Sequence, residues 1–239
     1  DENGAEALAL ARENGVNTEY VAVDRRYPTG VCNVTLTNGL PQYELVKGVA
    51  YDHIPPTAPR GNFDALYMGT LAMRGADSRR AFRFLAKNAS YGEVLFDMNL
   101  RGSFYTRDLV TELLHETTIL KISSEEMGFF GYRDPVRQCM DISEKYPNLK
   151  YILVTLGADG AFVYDCTDTA RRVLFSEKPQ SKPVSTVGAG DSFAACFLVN
   201  LLAGKDIGIC LDRAVMLSDY VVTQLGAVPD YDPALFSGD

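Results

Sequence analysis

From residue 63 onward the chain alternates between two hydrophobic periods, and that alternation leaves few folds open. FDALYMG (63–69) reads as a strand, RRAFRFLAKNA (79–89) as an amphipathic helix and GEVLFDMN (92–99) as a strand. A helix over 106–116, a buried strand TTILKIS (117–123), helices over 124–131 and 135–146, and a strand YILVTL (151–156) follow. Apolar residues at every second position mark strands, and at every third or fourth mark helices. Strands that alternate with helices predict a mostly parallel sheet covered on both faces, a three-layer αβα, Rossmann-like architecture. In such sheets ligands bind beyond the C-terminal strand ends. Gly69, Asp97 to Arg101, Ser123 to Glu126, and Gly157 stand at those ends.

The first 62 residues have a different character. DENGAEALALARENGV reads as a helix, with Ala5, Leu8, Ala9 and Arg12 on one face and Gly15 as its stop. YVAVD (20–24) is a short strand candidate. Cys32, Val34 and Leu36 alternate with polar residues, Asn38-Gly39 is a hairpin turn signal, and Tyr43, Leu45, Val49 and Tyr51 continue the return side. This reads either as an edge hairpin of the main sheet or as a separate small sheet. A Pro-rich linker, IPPTAPRG (54–61), follows.

At 239 residues the chain can bury one substantial α/β core. Its net charge of −8 argues against a general nucleic-acid partner or an anionic membrane surface. The longest apolar stretch, near 193–203, is too short to span a bilayer. Five scattered cysteines without a CxxC read as reduced thiols in a cytoplasmic protein. With only His53 and His115 present, a His-rich zinc site is not expected.

One stretch carries most of the chemistry: STVGAGDSFAACFLVNLLAG (185–204). Gly188, Ala189 and Gly190 precede Asp191, and Phe193, Ala194, Phe197, Leu198, Leu201 and Leu202 then form one apolar helical face. A glycine turn opening into a helix aims free N–H groups and partial positive charge at one point, a seat for an oxyanion. The plainer reading makes Asp191 the N-cap of an ordinary helix. The stretch matches neither GxxxxGK[ST] nor GxGxxG, which excludes a P-loop and a dinucleotide fingerprint. Two further stretches have two readings each. Arg101 in FDMNLRGSFY either binds an anion through its planar fork or caps a loop through local carboxylates. Ser123-Ser124-Glu125-Glu126 either carries a metal-directed carboxylate or an acidic N-cap. VTLGADGAFVYD (154–165) is strand, turn, strand, with Gly157 and Gly160 bracketing the turn. RRVLFSE (171–177) is a further strand, and Ile207 to Leu225 a helix closed by Gly226.

VGAGDSFAA resembles the C-terminal signature of the ribokinase (PfkB) family of carbohydrate kinases, DTxGAGD, and other stretches agree in order and spacing. FDMNLR resembles the family's DxNxR, LKISSEEM its KxNxxE, VTLGADGA its VTLGxxGA, MGTLAMR its G-[ST]-L segment and QLGAVPDYD its C-terminal GA segment. PTGVCNVTLTNGLPQYELVKGVAYD is similar to the lid of bacterial fructokinase-like members. The resemblance implies a ribokinase-like α/β domain over 1–19 and 55–239 with a β-lid over 20–54. It makes Asp191 the catalytic base and Gly188, Ala189 and Gly190 the anion hole. Thr155, Gly157, Ser123 and Gly226 would contact the nucleotide; Arg101, Asn99 and Gly69 would face the sugar; Glu126 would position magnesium, mostly through water. Ser185 replaces the motif's first Asp, often part of a monovalent-cation site, so potassium (K+) dependence stays open. Family members begin with a strand carrying a sugar-binding Asp and a Gly-Gly-Asn turn. Neither has a counterpart here, so an N-terminal strand of the family sheet is expected to be missing.

The function implied is transfer of the γ-phosphate of ATP, with Mg2+, to a sugar hydroxyl, with fructose as the favoured acceptor. Kinases for 2-keto-3-deoxygluconate, ribose or a nucleoside are the alternatives within enzymes, and a non-catalytic sugar- or nucleotide-binding relative the alternative outside them. Some members form homodimers through their lid sheets, and the same is an expectation here.

Overall fold

The computed structural model describes residues 1–37, 40–131, 134–177 and 181–237. The chain forms two compact units, one of residues 1–63, 70–90 and 101–106, the other of 64–69, 91–100 and 107–239.

The first unit opens with helix α1 (Glu2–Glu13). Asp1 caps it by accepting from Gly4 N at 2.9 Å, and Gly15, at φ +75°, turns the chain out of it. The YVAVD segment is not a strand. Val21 N donates to Thr18 O, and Asp24 turns back on Arg26 N at 2.7 Å, so local turns use the groups a ladder would need. The hairpin forms from strands β1 (Cys32–Thr37) and β2 (Leu40–Leu45), antiparallel from Cys32↔Leu45 to Thr37↔Leu40. The turn residues Asn38-Gly39 lie outside the described residues. The return strand ends at Leu45 rather than continuing to Tyr51; residues Ala50–His53 form a 3-10 turn instead. Its Asp52 carboxylate takes Gly48 N at 2.9 Å and Val49 N at 3.3 Å, bending the chain away from the strand. Helix α2 (Ala76–Asn88) packs beside this turn through Ser78, whose hydroxyl donates to Tyr51 O at 2.7 Å. Arg74 ties the unit together. It binds both oxygens of Asp52, at 2.6 and 3.0 Å, donates to Val46 O, and lies over the rings of Tyr51 and Phe104.

The second unit is built on a six-stranded sheet in the order β3-β4-β5-β6-β7-β8. Its strands are β3 (Asn62–Gly69), β4 (Ser90–Asp97), β5 (Ile119–Ser123), β6 (Tyr151–Thr155), β7 (Ala161–Asp165) and β8 (Val173–Phe175). Strands β4, β5 and β6 pair parallel; β7 and β8 extend the sheet antiparallel. Its helices are α3 (Arg107–Glu116), α4 (Pro135–Lys145), α5 (Ala189–Leu202), α6 (Ile207–Val222) and the short α7 (Ala234–Ser237). Asp134 caps α4 on two backbone N–H groups with Pro135 in the first turn, as the sequence pattern requires.

Alternation along the strands sorts the core into two layers. Leu95, Ile119, Leu153, Ala161 and Val163 pack with Phe193, Ala194, Phe197, Cys210, Leu211, Ala214 and Val221 of α5 and α6. The intervening Phe96, Leu120, Ile152 and Phe162 point to the other face and are equally buried, as are Leu113, Leu114, Cys139 and Ile142 of α3 and α4. Asn200 joins three helices: its amide donates to Cys196 O and Phe236 O, and its carbonyl accepts from Arg213 at 2.7 Å.

Three expectations are corrected in this unit. Residues 124–131 hold only a 3-10 turn, Glu126–Phe129, because Gly128 and Gly131 interrupt too short an apolar pattern. Leu202, placed on the apolar face, is 43% exposed at the fraying end of α5. Helix α6 ends at Val222, and Gly226, at φ +88°, lies beyond it.

Candidate active site

Gly188 is the N-cap of α5 and sits at φ +85°. That left-handed conformation suits glycine alone here, because a methyl group on it would stand 2.5 Å from Ala227 O. The segment leading in is pinned by Val184 N and Ser185 N, which both donate to Val222 O, at 2.7 and 3.1 Å. Ala189 O accepts from the hydroxyls of Ser192 and Ser218, each at 3.0 Å. The first turn of α5 is therefore held from both sides. Helix geometry leaves its N–H groups without carbonyl partners one turn earlier. Among the described residues, Ala189 N has Thr186 O as an acceptor at a long 3.4 Å.

Asp191 is exposed in that first turn and caps nothing; the cap position belongs to Gly188, without a side-chain bond. This removes the N-cap reading of Asp191. It leaves a carboxylate facing solvent beside the helix tip. An acid turned inward and packed away would have ended its candidacy as a base.

Glu126 joins two strand ends. One carboxylate oxygen accepts from Leu100 N at 2.5 Å, after β4, and the other from Ser123 N at 2.9 Å, at the end of β5. The Ser123 hydroxyl accepts from Glu126 N at 3.3 Å in return. This reciprocal pair has the bonding pattern of a capping box, but it closes the turn at 123–126; the 3-10 turn that follows has Glu125 as its N-cap, without a side-chain bond. Thr155 lies opposite Ser123 in the β5–β6 register, and Ser124 N donates to Thr155 O at 2.9 Å. Gly157, at φ +59°, is exposed in the turn that follows. Gly69 ends β3, where an added methyl would stand 3.3 Å from Asp97 O. Asn99 takes φ +35° just after β4, a conformation asparagine tolerates better than most residues. The strand-end positions Gly69, Asn99, Ser123, Glu126, Thr155 and Gly157 and the α5 tip all belong to the second unit. Arg101 is exposed and belongs to the first unit, where Phe104 N donates to its carbonyl.

The structure adds three residues to which no role was assigned from sequence. Asp97 faces Lys121 directly in the β4–β5 register. Lys121 Nζ lies 3.0 and 3.1 Å from the two Asp97 oxygens, and the Tyr67 hydroxyl donates to Asp97 Oδ2 at 3.1 Å. Burial pushes the Asp97 carboxyl up, and the facing ammonium only partly offsets this. Burial, then the charges of Asp97 and Asp191, push the Tyr67 phenol up. The signal in the sequence was a lysine inside the apolar run ILKIS and an aspartate ending VLFD.

Residues 1–234 match the family description "pfkB family carbohydrate kinase". The chain belongs to the PfkB family of carbohydrate kinases. It is thereby an ATP-dependent sugar phosphotransferase by family, with a ribokinase-like fold. Among curated PfkB-like relatives, the probable fructokinase-5 of Arabidopsis thaliana is 27% identical over 253 residues, covering 96% of this chain and 76% of that protein. The 2-dehydro-3-deoxygluconokinase of Escherichia coli K12 is 27% identical over 178 residues, covering 70% of this chain and 57% of that protein. The fold is similar to fructokinase from Vibrio cholerae O395 in its fructose-, ADP- and calcium-bound form, with a TM-score of 0.77 at 21% identity over 95% of this chain and 78% of that one. Aminoimidazole riboside kinase from Salmonella enterica gives a TM-score of 0.75 at 24% identity over the same shares. No helix among the described residues of this PfkB chain is long and apolar enough to cross a membrane.

Proposed function

We propose that this PfkB kinase is a fructokinase, transferring the γ-phosphate of ATP to a fructose hydroxyl with Asp191 as the general base. The observation that carries the reading is the exposed Asp191 carboxylate on the first turn of α5, beside the left-handed Gly188. The fructokinase-named relatives favour the acceptor. Asp191 takes the proton of the attacking hydroxyl. The N–H groups of Gly188 to Gly190 donate to the oxygens of the group in transfer, where charge builds up. Positioning supplies most of the rate in such transfers, since the protein makes no covalent bond to the phosphoryl group. Thr155, Gly157, Ser123 and Gly226 are assigned to the nucleotide, and Arg101, Asn99 and Gly69 to the sugar.

Magnesium fits Glu126 through water. Each of its oxygens accepts one backbone N–H and keeps a lone pair for a hydrated ion. When bound, the ion neutralises phosphate charge. Ser185 brings a hydroxyl where the motif has a carboxylate, so no potassium requirement is proposed. The β1–β2 hairpin is assigned as lid and homodimer contact, which light scattering of the wild type and a hairpin-deleted variant checks. A cytoplasmic setting is supported by the five unpaired thiols.

The test is ADP release with ATP, Mg2+ and a panel of sugars. Fructose is expected to give the highest kcat/KM. Asp191→Asn is expected to keep nucleotide binding and lose about 10²–10⁴-fold in kcat. Near-normal turnover in that variant removes Asp191 from the base role. A second reading, a 2-keto-3-deoxygluconate kinase, is favoured by the 2-dehydro-3-deoxygluconokinase similarity; preference for that sugar acid in the panel selects it. Nucleotide binding with no phosphorylated product from any sugar selects a non-catalytic relative.

A further inference from the structure

We infer that Lys121 is a positioning residue for phosphoryl transfer, a buried ammonium held by Asp97 and Tyr67 as a cationic floor beneath the Gly188–Gly190 turn. The inference rests on the kinase reading above and deepens it.

Lys121 interrupts a run in which Ile119, Leu120 and Ile122 are wholly buried, and it is itself only 7% exposed. An ammonium there loses its hydration, and the Asp97 carboxylate compensates it. A buried pair of this kind is weak as a stability device, since apolar replacements of similar volume often do as well. Its location gives it another use. Lys121 shares the sheet face of Ile119, the face packed by α5 and α6, and stands one pleat nearer the C-terminal edge. That places it against the tip of α5. A methyl group built on Gly190 would lie 3.0 Å from Lys121 Nζ and 3.8 Å from Cε. Glycine at 190 is what lets the ammonium approach.

The pair is neutral as a whole, but it is oriented. Its negative end, Asp97, is covered by two donors, the ammonium and the Tyr67 hydroxyl. Its positive end abuts the backbone of the anion-binding turn. The ammonium adds to the partial positive charge of the helix tip without touching substrate itself. A charge fixed in a dry site needs no reorganisation when phosphoryl charge develops. Tyr67 completes the arrangement: it fixes the Asp97 carboxylate, which in turn fixes Lys121.

The test compares wild type with Lys121→Met, using the best sugar of the panel. We expect kcat to fall about 10- to 1,000-fold, the range for losing one preorganised charge or donor. ADP, which lacks the γ-phosphoryl group, is expected to bind within threefold of wild type by calorimetry at a temperature where the variant is folded, while the melting temperature falls because Asp97 is left buried without its ammonium. A kcat within threefold of wild type overturns the inference. So does a parallel loss of kcat and ADP affinity, which marks a purely structural lysine. Should Lys121→Met fail to fold, Tyr67→Phe carries the test, with an expected threefold to tenfold loss in kcat at unchanged ADP affinity; unchanged kcat overturns it. Gly190→Ala supplies a cycle: at least a tenfold loss alone, and under threefold further loss on the Lys121→Met background. A wild type that turns over no sugar sinks the kinase reading and this inference with it, a result told apart from an active wild type with an indifferent Lys121.

Discussion

A carboxylate can hold a backbone and bind a hydrated ion at once, and Glu126 does the first and is proposed for the second. Its two backbone bonds and the returning Ser123 bond make it a backbone anchor; its spare lone pairs make it a magnesium candidate. In Glu126→Gln the amide oxygen keeps one of the two backbone N–H groups, but the NH2 is a donor and cannot accept the other. That variant is expected to lose about 1–3 kcal/mol of stability while its Mg2+ half-saturation rises about tenfold, on the order of 1.5 kcal/mol for a charge-assisted contact. An unchanged Mg2+ titration assigns Glu126 to backbone anchoring alone. Asp191 was legible in sequence because a glycine turn before an apolar helix puts the following acid in the first turn wherever the helix lies. The pairing of Lys121 with Asp97 was not. They are 24 positions apart, and their pairing needs the β4–β5 register, which no local pattern encodes.

At the scale of elements, one buried amide bonds to α5, α6 and α7 at once. Asn200 is 1% exposed and spends its donors on Cys196 O and Phe236 O and its carbonyl on Arg213. Asn200→Ala removes one donor from Phe236 O and one acceptor from the Arg213 guanidinium. It is expected to cost about 1–3 kcal/mol in urea unfolding, with little change in specific activity, since Asp191 lies at the opposite end of α5. A loss below about 0.5 kcal/mol would mean that water replaces the amide. Most elements were readable because burial on one or both faces imposes its period on the sequence: β3 to β8 and α2 to α6 fall where alternation or helical spacing placed them. The exceptions share a cause. YVAVD has strand propensity, but a strand also needs a neighbour, and Asp24 turns the chain onto Arg26 instead. Val49 and Tyr51 kept the alternation, yet Asp52 gathers the preceding N–H groups into a turn. Over 124–131 the glycines outweigh the apolar spacing.

For the molecule as a whole, the two units carry buried acids that respond oppositely to pH. Burial alone would raise Asp52 in the first unit, but Arg74 and the N–H groups of Val49 and Gly48 outweigh it and hold its carboxyl below the usual range. Such a group stabilises the native state above its unfolded pKa, about 3.9, and that contribution is lost as pH falls through the folded value. Asp97 in the second unit is raised by burial, so the native state binds its proton more readily, and its contribution improves as pH falls toward 3.9. Hydrogen exchange followed by mass spectrometry from about pH 5 to 3 is therefore expected to expose peptides around 46–54 and 74–82 before those of β4 and β5, after correction for intrinsic rates. Asp52→Asn is expected to flatten that acid limb at the cost of stability near neutrality. Simultaneous opening of both regions would mean that neither acid governs the acid transition. The double grip of Glu126 also bears on redesign. Because one side chain spans the exits of two neighbouring strands, transplanting the segment after β4 from a relative to alter acceptor preference would also disturb the carboxylate proposed to position magnesium, and grafts that import both exits together are the ones to build.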